Sequence, residues 1–323
     1  MFVKDLQAGA VVDVVLVVRA AELRVGRDGG PCLRLLLGDR TGALASNVVH
    51  DVESASAIAT VGSCVRVNGQ LLVTHEHGVE LALHTLGPAP AGTFDESRLL
   101  DGPPRTATLM EDDLRELVGT IQNDDLRRLL DAVFGHDAPT WSSYRTAPAA
   151  KRFHQAYRHG LLEHSLSVAQ AVSAISATFA GIDRDVAVAG ALLHDIGKLD
   201  AYAFAGTEIE VTDAGRLQGE IPLGYYRVRT LIDALDGFDP GTAEAVLHII
   251  LSHHGSREHG SPVVPCTREA TLVHFCDNLG GRLGSFDRLE KELPAGERWS
   301  DFDRAIGSGA YFAASSAGER RAA

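Results

Sequence analysis

The run Ala191–Tyr202, ALLHDIGKLDAY, places an adjacent His194-Asp195 pair near the end of an apolar helical segment. An aspartate flanked by Ala191, Leu192, Leu193 and Ile196 is headed for the interior, where a carboxylate is costly unless something cationic compensates it. Residues of matching chemistry stand on either side: His164 in GLLEHSLSVA, Glu220 in GRLQGEIPLG, His253-His254 in IILSHHG and Asp277 in HFCDNL. Each lies on or beside a segment with helical apolar periodicity, the arrangement by which a bundle brings distant ligands into one pocket. Imidazole plus carboxylate suits Mn, Fe, Co, Ni or Zn, and a set without thiolate argues against a structural zinc knuckle. The direct reading is a hydrolytic metal centre.

His164, His194, Asp195 and Asp277 are the core ligand candidates, and at least one of His253 and His254 joins them. The other of that pair binds substrate phosphate or supports a ligand. Glu220 reads in two ways: as an oxygen ligand of a second ion, shifting preference towards harder ions such as Mn or Mg, or as a solvent-facing residue beside a single metal. In a two-ion site the metals lie ~3.5–4 Å apart and share a carboxylate, here Asp195. Bound water is then activated for attack on a phosphodiester. Lys198, one turn beyond His194, can offer a cation to the scissile phosphate. The alternative for it is a solvated lysine at a helix end beside Gly197. Isolated histidines at 136, 154, 159, 248, 259 and 274 read as surface or core residues.

The chain has 323 residues, 45% of them hydrophobic, enough for two domains with separate cores. From Val3 to about Leu86, runs such as VVDVVLVVRAAEL, PCLRLLLGD and SCVRVNGQLLVTHEHG are β-prone and broken by GRDGG and DRTG turns, which predicts a small barrel at 1–87. The stretch 88–107 is rich in Pro, Gly and polar residues and reads as a linker. From 108 to 310 the period becomes 3.6, with Leu114-Leu117-Val118-Ile121 and Leu126-Leu129-Leu130-Val133 as the first amphipathic faces of an all-α domain. A disordered tail is expected over 311–323.

Net charge is −13, opposite to the footprint of a protein that holds long nucleic acids by charge alone. The first residues, interrupted by Asp5, Gln7 and Asp13, do not read as a secretory signal, and no run approaches the ~18 apolar residues of a membrane span. Cys32, Cys64, Cys266 and Cys276 form no CxxC pair and read as reduced thiols, so a cytoplasmic location is expected.

The order of a small barrel, DDLRELVGTIQNDDLRRLLDAVF, APAAKRFHQAYRHGLLEHSLSVA, ALLHDIGK, SHHGSREHGSP and DNL resembles the YhaM-type 3′-5′ exoribonuclease family, from Phe2 to about Leu283. The resemblance implies a nucleic-acid-binding OB-fold followed by an HD domain. It further implies a metal-dependent 3′-5′ exoribonuclease acting on single-stranded RNA or short oligonucleotides, with DNA and homo-oligomer formation as open alternatives. Departures from the family pattern are His154-Gln155 and His159-Gly160 before the first metal histidine, Glu220 where the family has a histidine, His259 in EHGSP, and Gly280-Gly281 after Asp277. Manganese is the expected metal, with Mg, Co, Fe, Ni or Zn as alternatives, one or two ions per chain.

Within the barrel, Arg19, Arg24, Arg27, Arg34 and Arg40 cluster in the first hairpin region and form the candidate strand-binding edge. Phe2 is the one aromatic of the first 90 residues, and Cys32 and Val49 stand where the family often has Tyr and Trp. Base stacking is worth ~1–3 kcal/mol per base, so a weak grip on single strands is expected. The other functional classes open at this stage are an HD phosphohydrolase of small nucleotides and a metal-containing binding protein with weakened catalysis.

Overall fold

The computed structural model describes residues 2–26, 29–74, 78–90, 92–151, 155–205, 208–293 and 298–313. The chain divides into two compact units that meet in sequence at Gly102–Pro103. Among the described residues the first unit has five strands: β1 (Val11–Val25), β2 (Pro31–Asp39), β3 (Gly42–Val48), β4 (Cys64–Thr74) and β5 (Gly78–Pro88). They close into a barrel in the order β1-β2-β3-β5-β4. Strand β1 serves two neighbours, its first half pairing with β4 and its second half with β2, with a register shift between Val18 and Ala20. That irregularity increases local twist and lets one long strand bend around a small barrel. Alternation carries Leu33, Leu35 and Leu37 of β2, with Val65 and Val67 of β4, into the core. A helix the strand pattern did not announce, α1 (Val52–Ile58), follows β3 and sets Val52 and Ala55 against that core.

The stretch expected as a linker is built onto the barrel unit as far as Gly102. A short helix, α2 (Glu96–Leu99), buries Leu99, and Asp101 pairs with Arg19 at 3.3 Å. Composition signalled turns there and missed these long-range anchors.

The second unit opens with α3 (Ala107–Gly119), α4 (Asp124–Phe134) and α5 (Trp141–Thr146). It continues through α6 (Gly160–Ser176), α7 (Arg184–Leu193) and α8 (Lys198–Ala201), and ends with α9 (Asp213–Gln218), α10 (Glu220–Asp233), α11 (Pro240–Ser252) and α12 (Arg268–Glu292). The expected amphipathic faces bury Leu114 and Ile121 and the whole set Leu126, Leu129, Leu130 and Val133. Polar caps start the helices: Thr106, Asn123, Asp183, Asp239 and Thr267 each accept a first-turn N–H. Helix α7 is buried from Val186 to Leu193, as an all-round apolar helix at the centre of a bundle must be.

The second unit is not purely helical. Strands β6 (Tyr202–Ala205) and β7 (Glu208–Val211) form a two-stranded sheet between α8 and α9. Their segments are too short for a helical period and alternate Tyr202-Ala203-Phe204 against Glu208-Ile209-Glu210, with Ile209 buried. At the other end, Tyr311 forms an isolated bridge with Trp299, so ordered pairing extends into the expected tail, whose remaining residues 314–323 lie outside the described ones. No described helix is long and apolar enough to cross a membrane.

Candidate metal centre

Two helices end on a histidine and aim it the same way. His194 is the C-cap of α7 and His253 that of α11. The last carbonyls of a helix have no intrahelical partner, and each ring turns Nδ1 back onto one: His194 to Ala191 O at 2.7 Å, His253 to Ile250 O at 2.8 Å. This fixes both rings and leaves Nε2 facing inward. His254 is held likewise through Nδ1 and His259 O at 2.9 Å.

Among the described residues two groups have metal-holding geometry: His164, His194 and Asp277, and Glu220, His253 and His254. In the first, His164 Nε2 lies 3.0 Å from Asp277 Oδ1 and 3.2 Å from His194 Nε2. In the second, His254 Nε2 lies 3.4 Å from Glu220 Oε1. Asp195 stands between them. Its Oδ2 is 3.4 Å from His164 Nε2 and 3.3 Å from His194 Nε2, while Oδ1 faces His253 Nε2 at 3.6 Å. Those last two atoms are buried and lack a hydrogen-bond partner. Buried polar atoms normally find one, and a lone-pair nitrogen facing a carboxylate oxygen beyond bonding distance is a donor set for a cation. The residues present therefore fit divalent ions, with two imidazoles and a carboxylate in each group and Asp195 positioned to serve both.

Lys198 is buried and donates from Nζ to Asp195 Oδ2 at 2.6 Å, which excludes the reading of a solvated helix-end lysine. Burial opposes ionisation of Asp195 and Asp277, yet Lys198 and His194 hold the first carboxyl, and His164 and His194 the second, well below the usual range. Burial would lower His194, but Asp195 and Asp277 raise it to about 10 in the ion-free state. His253 goes the other way, because burial outweighs its carboxylate neighbour and keeps the ring neutral. Glu220 is lowered despite burial, chiefly by the hydrogen bond with His254 and the charge of Lys198.

A family model for the HD domain matches residues 161–281, the segment that carries His164, His194-Asp195, Glu220, His253-His254 and Asp277. The chain is also similar over most of its length to proteins named 3′-5′ exoribonuclease YhaM. That of Geobacillus sp. strain WCH70 is 26% identical over 292 residues, 90% of this chain and 88% of that protein. That of Bacillus subtilis strain 168 is 27% identical over 295 residues, 90% and 91% respectively. One from Listeria monocytogenes is 27% identical over 294 residues, 91% and 92%. Residues 161–281 thus match an HD domain, and the chain is similar over most of its length to exoribonucleases of the YhaM type. It is accordingly a hydrolase of the HD phosphohydrolase class, a class that depends on metal.

Close backbone approaches assemble the HD centre. A Cβ on Gly197 would lie 2.0 Å from Glu220 O and 2.4 Å from Gly224 N, so glycine there lets the start of α10 abut the His-Asp segment. Gly255, at φ 82°, leaves room for the His274 ring, which donates from Nδ1 to His253 O at 2.7 Å. His274, set aside in the sequence as an isolated histidine, thus holds the backbone of a ligand candidate. His248 accepts from Cys266 N–H at 2.8 Å and is structural. Two neighbours of the centre were missed in the sequence: Tyr202, donating to Glu220 Oε2 at 3.4 Å, and Gln155, 3.1 Å from His164 Nδ1. Neither residue type carries a signal of metal binding at its position.

Most of the barrel arginines expected at a strand-binding edge meet groups of their own unit. Arg19 is spent inside its own unit, donating to Asp39 O at 2.6 Å and pairing with Asp101. Arg24 pairs with Glu22 at 2.7 Å, and Arg34 stands opposite Glu22 across β1 and β2. Arg40 and Arg98 lie over the Phe2 ring at 5.3 and 4.7 Å, so the barrel's one aromatic is occupied by guanidinium groups. Arg27 lies outside the described residues.

Proposed function

We propose that this chain is a 3′-5′ exoribonuclease that hydrolyses single-stranded RNA or short oligonucleotides with manganese as its metal. The observation that carries the chemistry is Asp195, whose two oxygens face separate histidine-carboxylate groups. His164, His194 and Asp277 would hold one ion and Glu220, His253 and His254 a second, with Asp195 placed between the two groups. Divalent ions in such a site lower the pKa of bound water and offset charge on the phosphoryl oxygens. The set of four imidazoles and three carboxylates, without thiolate, suits Mn²⁺, and Glu220 supplies a harder donor than the histidine it replaces. Lys198 keeps a buried ammonium against Asp195, where it orients that carboxylate and adds positive charge for an incoming phosphate. The choice of RNA and of polarity is supported by the exoribonucleases to which the chain is similar, barrel included. A cytoplasmic location accords with that reading and with the free state of all four cysteines.

A second reading, hydrolysis of small nucleotides, is favoured by the paired arginines and occupied aromatic of the barrel and by the net charge of −13. The test is incubation of the ion-free chain with 5′-labelled single-stranded RNA under Mn²⁺, Mg²⁺ or chelator, beside the DNA equivalent. A metal-dependent ladder shortening from the 3′ end is expected. RNA left intact while mononucleotide esters are cleaved would transfer the assignment to the second reading.

A further inference from the structure

Three of the four imidazoles in the centre turn Nδ1 onto a backbone carbonyl, at Ala191, Ile250 and His259. His164 stands in the second turn of α6, where the carbonyls one turn back serve the helix itself. Its Nδ1 lies 3.1 Å from the side-chain oxygen of Gln155. Gln155 precedes α6 with φ 55°, a left-handed backbone that few residues with a side chain adopt, and its carbonyl accepts from Ala149 N–H at 3.1 Å. The amide also bonds the Glu163 carboxylate, to which Tyr157 Oη donates at 2.6 Å. The side-chain oxygen of Gln155 can only accept, so its bond with His164 is made by the Nδ1–H. The proton of His164 is then on Nδ1 and the lone pair on Nε2, the atom that faces His194, Asp195 and Asp277.

We infer that Gln155 is a positioning residue of the metal centre, fixing through its side-chain oxygen the tautomer of His164 that ligates an ion. Tyr157 and Glu163 orient the amide in turn. This inference rests on the metal reading above and concerns one of its two groups. Partners that orient a ligating histidine typically contribute 10–100-fold to metal affinity.

The test is titration of the full, ion-free chain with Mn²⁺, free ion being followed by electron paramagnetic resonance, alongside the melting temperature of each ion-free protein. Gln155→Met, which keeps length and removes both amide atoms, is expected to weaken one class of Mn²⁺ site 10–100-fold and leave the other unchanged. Gln155→Glu, which keeps an acceptor oxygen, is expected to stay within about threefold of the parent at that same class, well short of the Met variant. Equal losses in both variants, or unchanged affinity in Gln155→Met, overturn the inference while leaving the metal centre standing. A parent chain that binds no Mn²⁺ overturns the metal reading itself and the inference with it. Should Gln155→Met not fold, Tyr157→Phe loosens the same chain of bonds from its far end. A drop of about threefold is expected there, and unchanged affinity overturns the inference.

Discussion

Asp195 shows how much chemistry one position can carry. It is buried, ionised, held by Lys198 at 2.6 Å and flanked by imidazoles on both oxygens. Asp195→Asn removes the charge that both groups share and leaves Lys198 buried against a neutral amide. Mn²⁺ affinity and phosphodiester turnover are expected to fall together, each by about a hundredfold or more, as removal of a buried ionic partner implies. Turnover that survives while metal binding is lost would detach catalysis from this centre. A second residue, away from the site, links the helices that position His164. Glu111 of α3 accepts from Arg115 at 2.8 Å and from Arg145 of α5 at 2.9 Å. Burial raises its carboxyl, but the two guanidinium groups outweigh this and hold it below its ordinary value of 4.5. A depressed carboxylate stabilises above its unfolded pKa and loses that contribution as pH falls through the folded one. Glu111→Gln should therefore be less stable than the parent by about 1–2 kcal/mol at pH 7, with the gap narrowing below pH 4.5, as read by urea unfolding at several pH values. A gap that is constant with pH would remove the electrostatic account.

At the scale of elements, the centre depends on where helices stop and how closely they approach. Helices α7 and α11 stop at His194 and His253, and the orphaned carbonyls of their last turns set the rings. Helix α10 comes in over Gly197, where there is no room for a Cβ beside Glu220 O. Gly197→Ala is expected to push α10 away, cost about 2 kcal/mol by overpacking, and weaken Mn²⁺ at the group containing Glu220 more than at the group containing Asp277. Calorimetric melting together with Mn²⁺ titration reads both effects, and equal weakening of the two groups would place the strain elsewhere. The amphipathic faces of α3 and α4 were plain in the sequence because each helix packs one stripe. The hairpin β6–β7 and helix α1 were not, since four to seven residues carry too little periodicity to declare a type.

For the molecule as a whole, charge sets the expected mode of substrate binding. With −13 net charge and both Arg19 and Arg24 of the barrel paired, long-range attraction to a phosphate backbone is weak. Each phosphate neutralised on a single strand contributes about 0.7 to the salt slope. A value near 1–2 is expected for log KM against log salt with an RNA oligomer, equivalent to two or three phosphates. A slope of about five would reveal an extended basic track.

The sequence by itself determined which donor groups are on offer and the order of parts. A buried His-Asp pair, carboxylates and imidazoles spaced on helical runs, and a shift from period two to period 3.6 are local facts, and each survives in the structure as a cluster, a barrel or a bundle. Tertiary structure alone decided which partner each group meets. It showed Glu220 turned towards His254, Lys198 drawn onto Asp195, and Arg19 consumed by Asp39 and Asp101. Those outcomes depend on contacts between residues far apart in the chain, where burial makes an unpaired charge costly and leaves it to whichever partner the packing brings within reach.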